Sequence, residues 1–138
     1  MPPRKNPRPE GRRFAVGDPS LVDAGVLETF PYAYPSRSIL VTISTEEFTS
    51  VCPWSGLPDF ATVRIEYIPR RNILELRSLK YYLHSYRGVG IYQEHLVNRI
   101  MEDLVRRVDP RRMKVTLDYR VRGGIRTVAE REYTRRRS

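Results

Sequence analysis

The feature that most constrains the fold is a double change of hydrophobic period along the chain. Ile39, Val41 and Ile43 alternate with Leu40, Thr42 and Ser44, and Ala61, Val63, Ile65 and Tyr67 alternate with Thr62, Arg64 and Glu66. Alternation is what a strand with one buried face requires. Pro69 stops the second run, and Ile73-Leu74-Glu75 resumes the sheet briefly. The period then becomes helical. Ser78 to Arg87 sets Leu79, Tyr82, Leu83 and Tyr86 on one face. A longer stripe runs through Tyr92, Leu96, Val97, Ile100, Met101, Leu104, Val105 and Val108 and ends at Asp109-Pro110. Met113, Val115, Leu117, Tyr119 and Val121 return to alternation, Gly123-Gly124 makes a tight turn, and Ile125 to Tyr133 reads as a last strand. The order is ββααββ. It predicts an α+β fold, an antiparallel sheet with two helices on one face.

Four strands leave two exposed edges, and pairing them with copies of the same chain removes both. The 138 residues make one domain with a modest core, to which oligomerisation adds. Residues 1–17 are basic and proline-rich and predict a disordered tail, and 134–138 read as a second basic tail. The basic Met1–Pro9 stretch lacks the apolar segment of a secretory signal, and no apolar run approaches the roughly 20 residues of a membrane span. With a single cysteine, this points to the cytoplasm. The net charge of +9, almost all from arginine, implies an anionic partner: nucleic acid or a phosphorylated cofactor. Much of it sits in the first thirteen residues, in Arg131 and in Arg135–Arg137, and terminal charge runs are usually solvated tails.

Three clusters can carry chemistry. Cys52 lies in a segment bent by Pro53, Gly56 and Pro58, a bend that can return the Asp59 carboxylate towards the sulfur. A thiol beside a proton acceptor is the minimum apparatus of covalent catalysis, although a lone cysteine is more often a small buried hydrophobe. Leu74 to Tyr82 spans a strand-to-helix junction, where free N–H groups with Arg77 and Lys80 suit an anion. The competing reading is an ordinary helix start with Ser78 as its cap. Gln93-Glu94 opens the second helix, where an acidic residue is common for dipole reasons alone. His84 and His95 have no ligand spacing that would suggest a metal.

Together these segments resemble the 7-cyano-7-deazaguanine reductases of the short, single-module QueF type. The matching residues are Glu47 to Pro53, Pro58 to Thr62, the Glu75-Leu76-Arg77-Ser78-Leu79-Lys80-Tyr81-Tyr82 signature, Glu94, and Arg122-Gly123-Gly124. The resemblance implies a tunnelling fold over residues 18–133, with subunit sheets joined into a barrel, rings stacked face to face and active sites between subunits. It implies reduction of the nitrile of 7-cyano-7-deazaguanine to the aminomethyl group with two NADPH, in the making of queuosine for tRNA. Cys52 would form a covalent thioimide and Asp59 would act as general acid–base. Leu74, Glu75, Leu76, Gln93 and Glu94 would bind the deazapurine, and Leu76, Arg77, Lys80, Arg122 and Gly123 would hold NADPH.

Three positions depart from the family pattern. Gln93 stands where a histidine is usual and cannot carry a proton at neutral pH. Arg77 replaces a lysine, and Leu96 stands where some relatives have a second cysteine, so no disulfide switch is expected. The alternatives are an amidinotransferase of the same fold acting on nitrile-bearing tRNA, which lacks the Glu75–Tyr82 signature, and a non-catalytic basic RNA-binding module. A zinc-dependent cyclohydrolase of the same fold is disfavoured by the missing ligand residues. A small-molecule substrate is expected rather than nucleic acid.

Overall fold

The computed structural model describes residues 16–136; the tail positions expected at 1–15 and 137–138 lie outside the described residues. The elements are β1 (Thr29–Pro31), β2 (Val41–Val51), β3 (Pro58–Ile68), β4 (Asn72–Leu74), α1 (Leu76–His84), α2 (Gln93–Val108), β5 (Arg112–Tyr119) and β6 (Val128–Thr134). β2-β3-β5-β6 form one antiparallel sheet in that order. The run at Ile73 does not rejoin this sheet. It pairs instead with β1, Thr29 opposite Leu74 and Pro31 opposite Asn72, making a separate two-stranded sheet. β1 falls in the stretch read as an extended segment, where only Thr29, Phe30 and Pro31 take part and no alternation can show.

β2 is longer than its alternation suggests because it contains a bulge between Thr45 and Phe48. Val41, Ile43 and Thr45 are the more buried positions before it, and Phe48 and Ser50 after it. One extra residue, in the exposed Glu46-Glu47 pair, shifts the inward parity from odd to even. The pattern therefore breaks at Ser44 although the strand continues to the residue before Cys52.

The helical stripes are core, as expected, except for Tyr92, which stands at the N-cap of α2 and is 50% exposed. Leu96, Val97, Ile100, Met101, Leu104 and Val108 of α2 pack with Leu79, Tyr82 and Leu83 of α1 on the face of the sheet that carries Val63, Ile65, Val115 and Leu117. Beneath the helices, the Tyr82 hydroxyl donates to Asp103 Oδ2 at 2.6 Å and lies 2.7 Å from the Tyr86 hydroxyl, while Arg99 Nε donates to the same carboxylate at 2.9 Å. The charge on Asp103, 7% exposed, is thus matched from both sides.

Three boundaries move. The fifth strand stops at Tyr119, and Val121 is 64% exposed rather than inward. The Arg120 N–H turns to Phe60 O, and the chain then enters the Gly123-Gly124 turn, with φ of 58° and 78° and reciprocal Arg122–Ile125 backbone bonds of 2.9 and 3.0 Å. The last strand begins at Val128 and runs through Thr134, and Arg135 is held beyond it by bonds to Arg111 O and Asp109. At the other end, Gly17 is tied to the domain: its N–H donates to Gly88 O at 2.6 Å and its carbonyl accepts from Gly90 N–H at 2.8 Å. Among the described residues no helix is long and apolar enough to cross a membrane.

Candidate active site

β2 ends at Val51, Cys52 follows it, and β3 starts at Pro58, so the connection is a short closed loop. Cys52 N–H donates to Leu57 O at 3.0 Å, and Gly56, at φ 71°, donates to Cys52 O at 2.8 Å. These bonds fix the backbone that carries the thiol. Cys52 Sγ accepts from Ser55 N–H at 3.4 Å. Burial pushes the thiol up, but hydrogen bonding from Ser55 and Trp54 outweighs it and leaves Cys52 below the ordinary thiol range.

Asp59 is on β3, directly opposite Ser50 on β2, which puts the two side chains on one face. Its side chain is 10% exposed, and Arg122, at the start of the Gly123-Gly124 turn, forms an ion pair with its Oδ1. Burial pushes the Asp59 carboxyl up, and the Arg122 guanidinium offsets only part of that. The thiol is therefore easier to ionise than usual and the carboxyl easier to protonate. Their proton affinities converge, which is the condition for passing one proton back and forth.

The start of α2 is sewn to the same place. Val51 N–H donates to Val89 O at 2.9 Å and Ile91 N–H donates to Val51 O at 3.1 Å, so the approach to α2 lies alongside the residue preceding Cys52. This brings Gln93, half-buried, and Glu94, exposed, to the first turn beside the thiol loop. Beside the seam, a Cβ at position 90 would lie 2.1 Å from Val16 Cγ1, so the exposed Val16 side chain would have to move, and 3.4 Å from Pro53 Cα, an ordinary contact. Tyr119, the last inward residue of β5, is 3% exposed, and its hydroxyl is raised well above the ordinary range, by burial first and by the charges of Asp59 and Glu94. Ser50 lies within the matched Glu47–Pro53 segment and Tyr119 within the β5 alternation, but neither is given a chemical role by the sequence. Only strand parity places them inward, and for Ser50 the bulge hides that parity.

The signature residues form a second group. Glu75, not Ser78, caps α1: its Oε1 accepts from Arg77 N–H at 2.9 Å and its Oε2 from Ser78 N–H at 2.5 Å. The helix begins earlier than its apolar pattern because Glu75 N–H is already fixed to Glu28 O, 3.0 Å away, by the β1–β4 pairing. Hydrogen bonding from Ser78, with that from Arg77, holds the Glu75 carboxyl below its ordinary value. These two N–H groups are therefore not free for an anion. Ser78, 4% exposed, accepts from Glu28 N–H at 2.9 Å and donates to Glu75 O at 2.8 Å. Leu74 is buried, whereas Leu76, Arg77 and Lys80 are exposed. A groove of about 570 Å³ between β2 and α1 is lined by Thr49, Leu76, Leu79, Lys80, Leu83 and Arg87, among others. Among the described residues no hydrogen bond or ion pair joins this group to Cys52, Asp59 and Arg122.

A family model described as "QueF-like protein" matches residues 58–138. The chain belongs to the QueF-like family. It is 53% identical over 116 residues to the NADPH-dependent 7-cyano-7-deazaguanine reductase of Caldicellulosiruptor bescii, covering 84% of this chain and 88% of that one. The reductase of the same name from Syntrophus aciditrophicus is 54% identical over 107 residues, covering 78% and 76%. Among solved structures, the apo form of the archaeosine synthase QueF-Like superposes with a TM-score of 0.64 at 34% identity, covering 67% of this chain and 91% of that one. The antiparallel sheet with two helices on one face is the tunnelling-fold unit that the resemblance implied.

Proposed function

We propose that this QueF-like chain is an NADPH-dependent nitrile reductase that converts 7-cyano-7-deazaguanine to 7-aminomethyl-7-deazaguanine in queuosine biosynthesis. The observation that carries the reading is the juxtaposition where β2 ends and β3 begins: a thiol with lowered proton affinity and a carboxyl with raised proton affinity, joined by a short hydrogen-bonded loop. Cys52 Sγ bonds to the nitrile carbon as its proton passes to Asp59, and Asp59 returns that proton to the nitrile nitrogen. The product is a thioimide on Cys52, formed without redox change. NADPH, when bound, supplies the hydrides, two in succession for the four-electron reduction.

The residues present fit such a cofactor. The groove between β2 and α1 has an apolar wall at Leu76 and Leu79 and cations at Lys80 and Arg87, suited to a flat ring and to phosphate oxygens. Arg77, Arg122 and Gly123 extend the set by resemblance. Glu94 and Glu75 are the carboxylates that accept the N–H donors of the base, with Leu74, Leu76 and Gln93 around it.

One chain carries the two groups apart, and β2 and β6 each have one unpaired edge within it. Subunits joined edge to edge would bring the Glu75 group of one to the Cys52 group of the next. This supports a homo-oligomer of stacked rings with sites between subunits, built from residues 18–133 and acting in the cytoplasm.

The test is NADPH oxidation by the purified protein with 7-cyano-7-deazaguanine, paired with intact-protein mass spectrometry. The expected result is substrate-dependent oxidation, a Cys52 adduct when NADPH is omitted, and loss of both in folded Cys52→Ala. Turnover retained in Cys52→Ala would refute the covalent route. An adduct without any oxidation would point to the amidinotransferase chemistry of the same fold.

A further inference from the structure

Among the described residues three buried side-chain polar atoms lack a hydrogen-bond partner, and two of them lie together: Ser50 Oγ and the Tyr119 hydroxyl. The third, Arg70 Nε, belongs to a guanidinium that is already bonded to Asp109. Ser50 is 1% exposed and Tyr119 3%. The two hydroxyls approach one another without reaching hydrogen-bond geometry. An unpaired buried hydroxyl forfeits its hydration and gains nothing in return. Alanine and phenylalanine would fill the same two places without that penalty, so packing alone does not account for either residue.

Their position does. Ser50 stands opposite Asp59 across the β2–β3 ladder, and Tyr119 stands opposite Ala61, one inward step further along β3. Both therefore lie on the face that Asp59 shares, behind the carboxylate. Arg122 engages Asp59 through Oδ1 and leaves Oδ2 to other donors. The charged and titratable groups around this carboxylate are Cys52 from the loop, Arg122 from the β5–β6 turn and Tyr119 from β5, with Glu94 of α2 acting on Tyr119 from the far side. Arg120 is directed elsewhere, to Thr62 Oγ1 and Glu46 O.

We propose that Ser50 and Tyr119 are positioning residues for Asp59. When substrate draws Asp59 towards the thiol, the Ser50 hydroxyl donates to the carboxylate oxygen that Arg122 leaves free, and the Tyr119 hydroxyl donates to Ser50. The pair fixes the orientation of the carboxylate and lowers its proton affinity while it serves as base. The proposal rests on the reading of Asp59 as general acid–base. It also gives the site hydroxyl donors at a catalytic centre where Gln93 has no proton to move.

The test uses the full protein with Tyr119→Phe and Ser50→Ala, and measures the pH dependence of Cys52 adduct formation without NADPH. Asp59 must be ionised to take the thiol proton, so losing a donor raises its proton affinity and moves the acidic limb to higher pH. On that limb adduct formation should fall about fivefold, the ratio one such hydrogen bond carries. The KM for the nitrile base should be unchanged, and both variants should melt above the wild type because the free protein loses an unpaired hydroxyl. Introduced into Asp59→Asn, either substitution should have no further effect on adduct rate.

An unmoved acidic limb with wild-type rates would overturn the proposal, and so would a lowered melting temperature, which would mean the hydroxyls are already paired in the free protein. If the wild type forms no Cys52 adduct, or Asp59→Asn forms it at full rate, the underlying reading of Asp59 falls instead.

Discussion

Ser78→Ala tests how the signature segment acquires its shape. The Ser78 hydroxyl is the rivet between three pieces of chain: it accepts from Glu28 N–H, donates to Glu75 O, and sits inside the first turn of α1. Removing it deletes two hydrogen bonds of about 1 kcal/mol each and strands the part-buried Glu28 N–H, whereas Glu75 O keeps its bond from Leu79 N–H, so the expected loss is about 2–3 kcal/mol. With a urea m-value of about 1–3 kcal/mol per molar for a small domain, the unfolding midpoint should fall by about 0.7–3 M with m unchanged. Protein concentration must be held constant, because assembly adds to apparent stability. The same change loosens the seat of Glu75, so the KM for the nitrile base should rise while the Cys52 adduct still forms at saturating substrate. A midpoint within about 0.3 M of wild type, about 0.3–0.9 kcal/mol at that m-value, would refute the rivet. A full loss of stability with unchanged KM would refute the link from rivet to base recognition.

Asp59→Asn should bind substrate yet turn over slowly. Its Cys52 should alkylate with iodoacetamide at a lower pH midpoint than wild type, because the Asp59 charge raises the thiol and asparagine removes that charge; a midpoint displaced upward would contradict this. Gly90→Val should displace Val16 and Pro53, destabilising the protein and slowing adduct formation, whereas Gly88→Ala, with open space at its Cβ, should be far milder. Equal melting curves for the two would dismiss the seam. Tyr82→Phe should cost about 2 kcal/mol in urea unfolding, since it removes a buried donor to the Asp103 carboxylate; a loss below about 0.5 kcal/mol would show the network to be slack.

Legibility followed the strength of local pattern. The α2 stripe and the inward residues of β3 and β5 were plain because one face of each is wholly buried. The lower half of β2 was hidden by its bulge, and β1 and β4 by being three residues each, too short to show a period. Gly123-Gly124 announced its turn because both residues adopt positive φ. The Cys52–Asp59 neighbourhood could be read from the loop between them, since the chain itself enforces it. The partnership of Asp59 with Arg122 could not, being separated by 63 residues and settled only by the pairing of β3 with β5. Glu75 was placed at the right junction but with a further duty, since its carboxylate closes the helix start that Ser78 had been expected to close.

The seam between Val51 and the approach to α2 gives the nucleophile a clock. Val51 N–H is covered by Val89 and its carbonyl by Ile91, and the next amide, Cys52, is covered by Leu57. In amide hydrogen exchange, Val51 and Ile91 should open together, at the free energy needed to lift the α2 entrance, while Cys52 reports only the small loop. Any ligand that braces Glu94 should then slow exchange at Val51, although it touches neither residue of that bond. The thiol is held in register by a helix start some forty residues away in sequence, so whatever loosens that start also loosens the reacting sulfur.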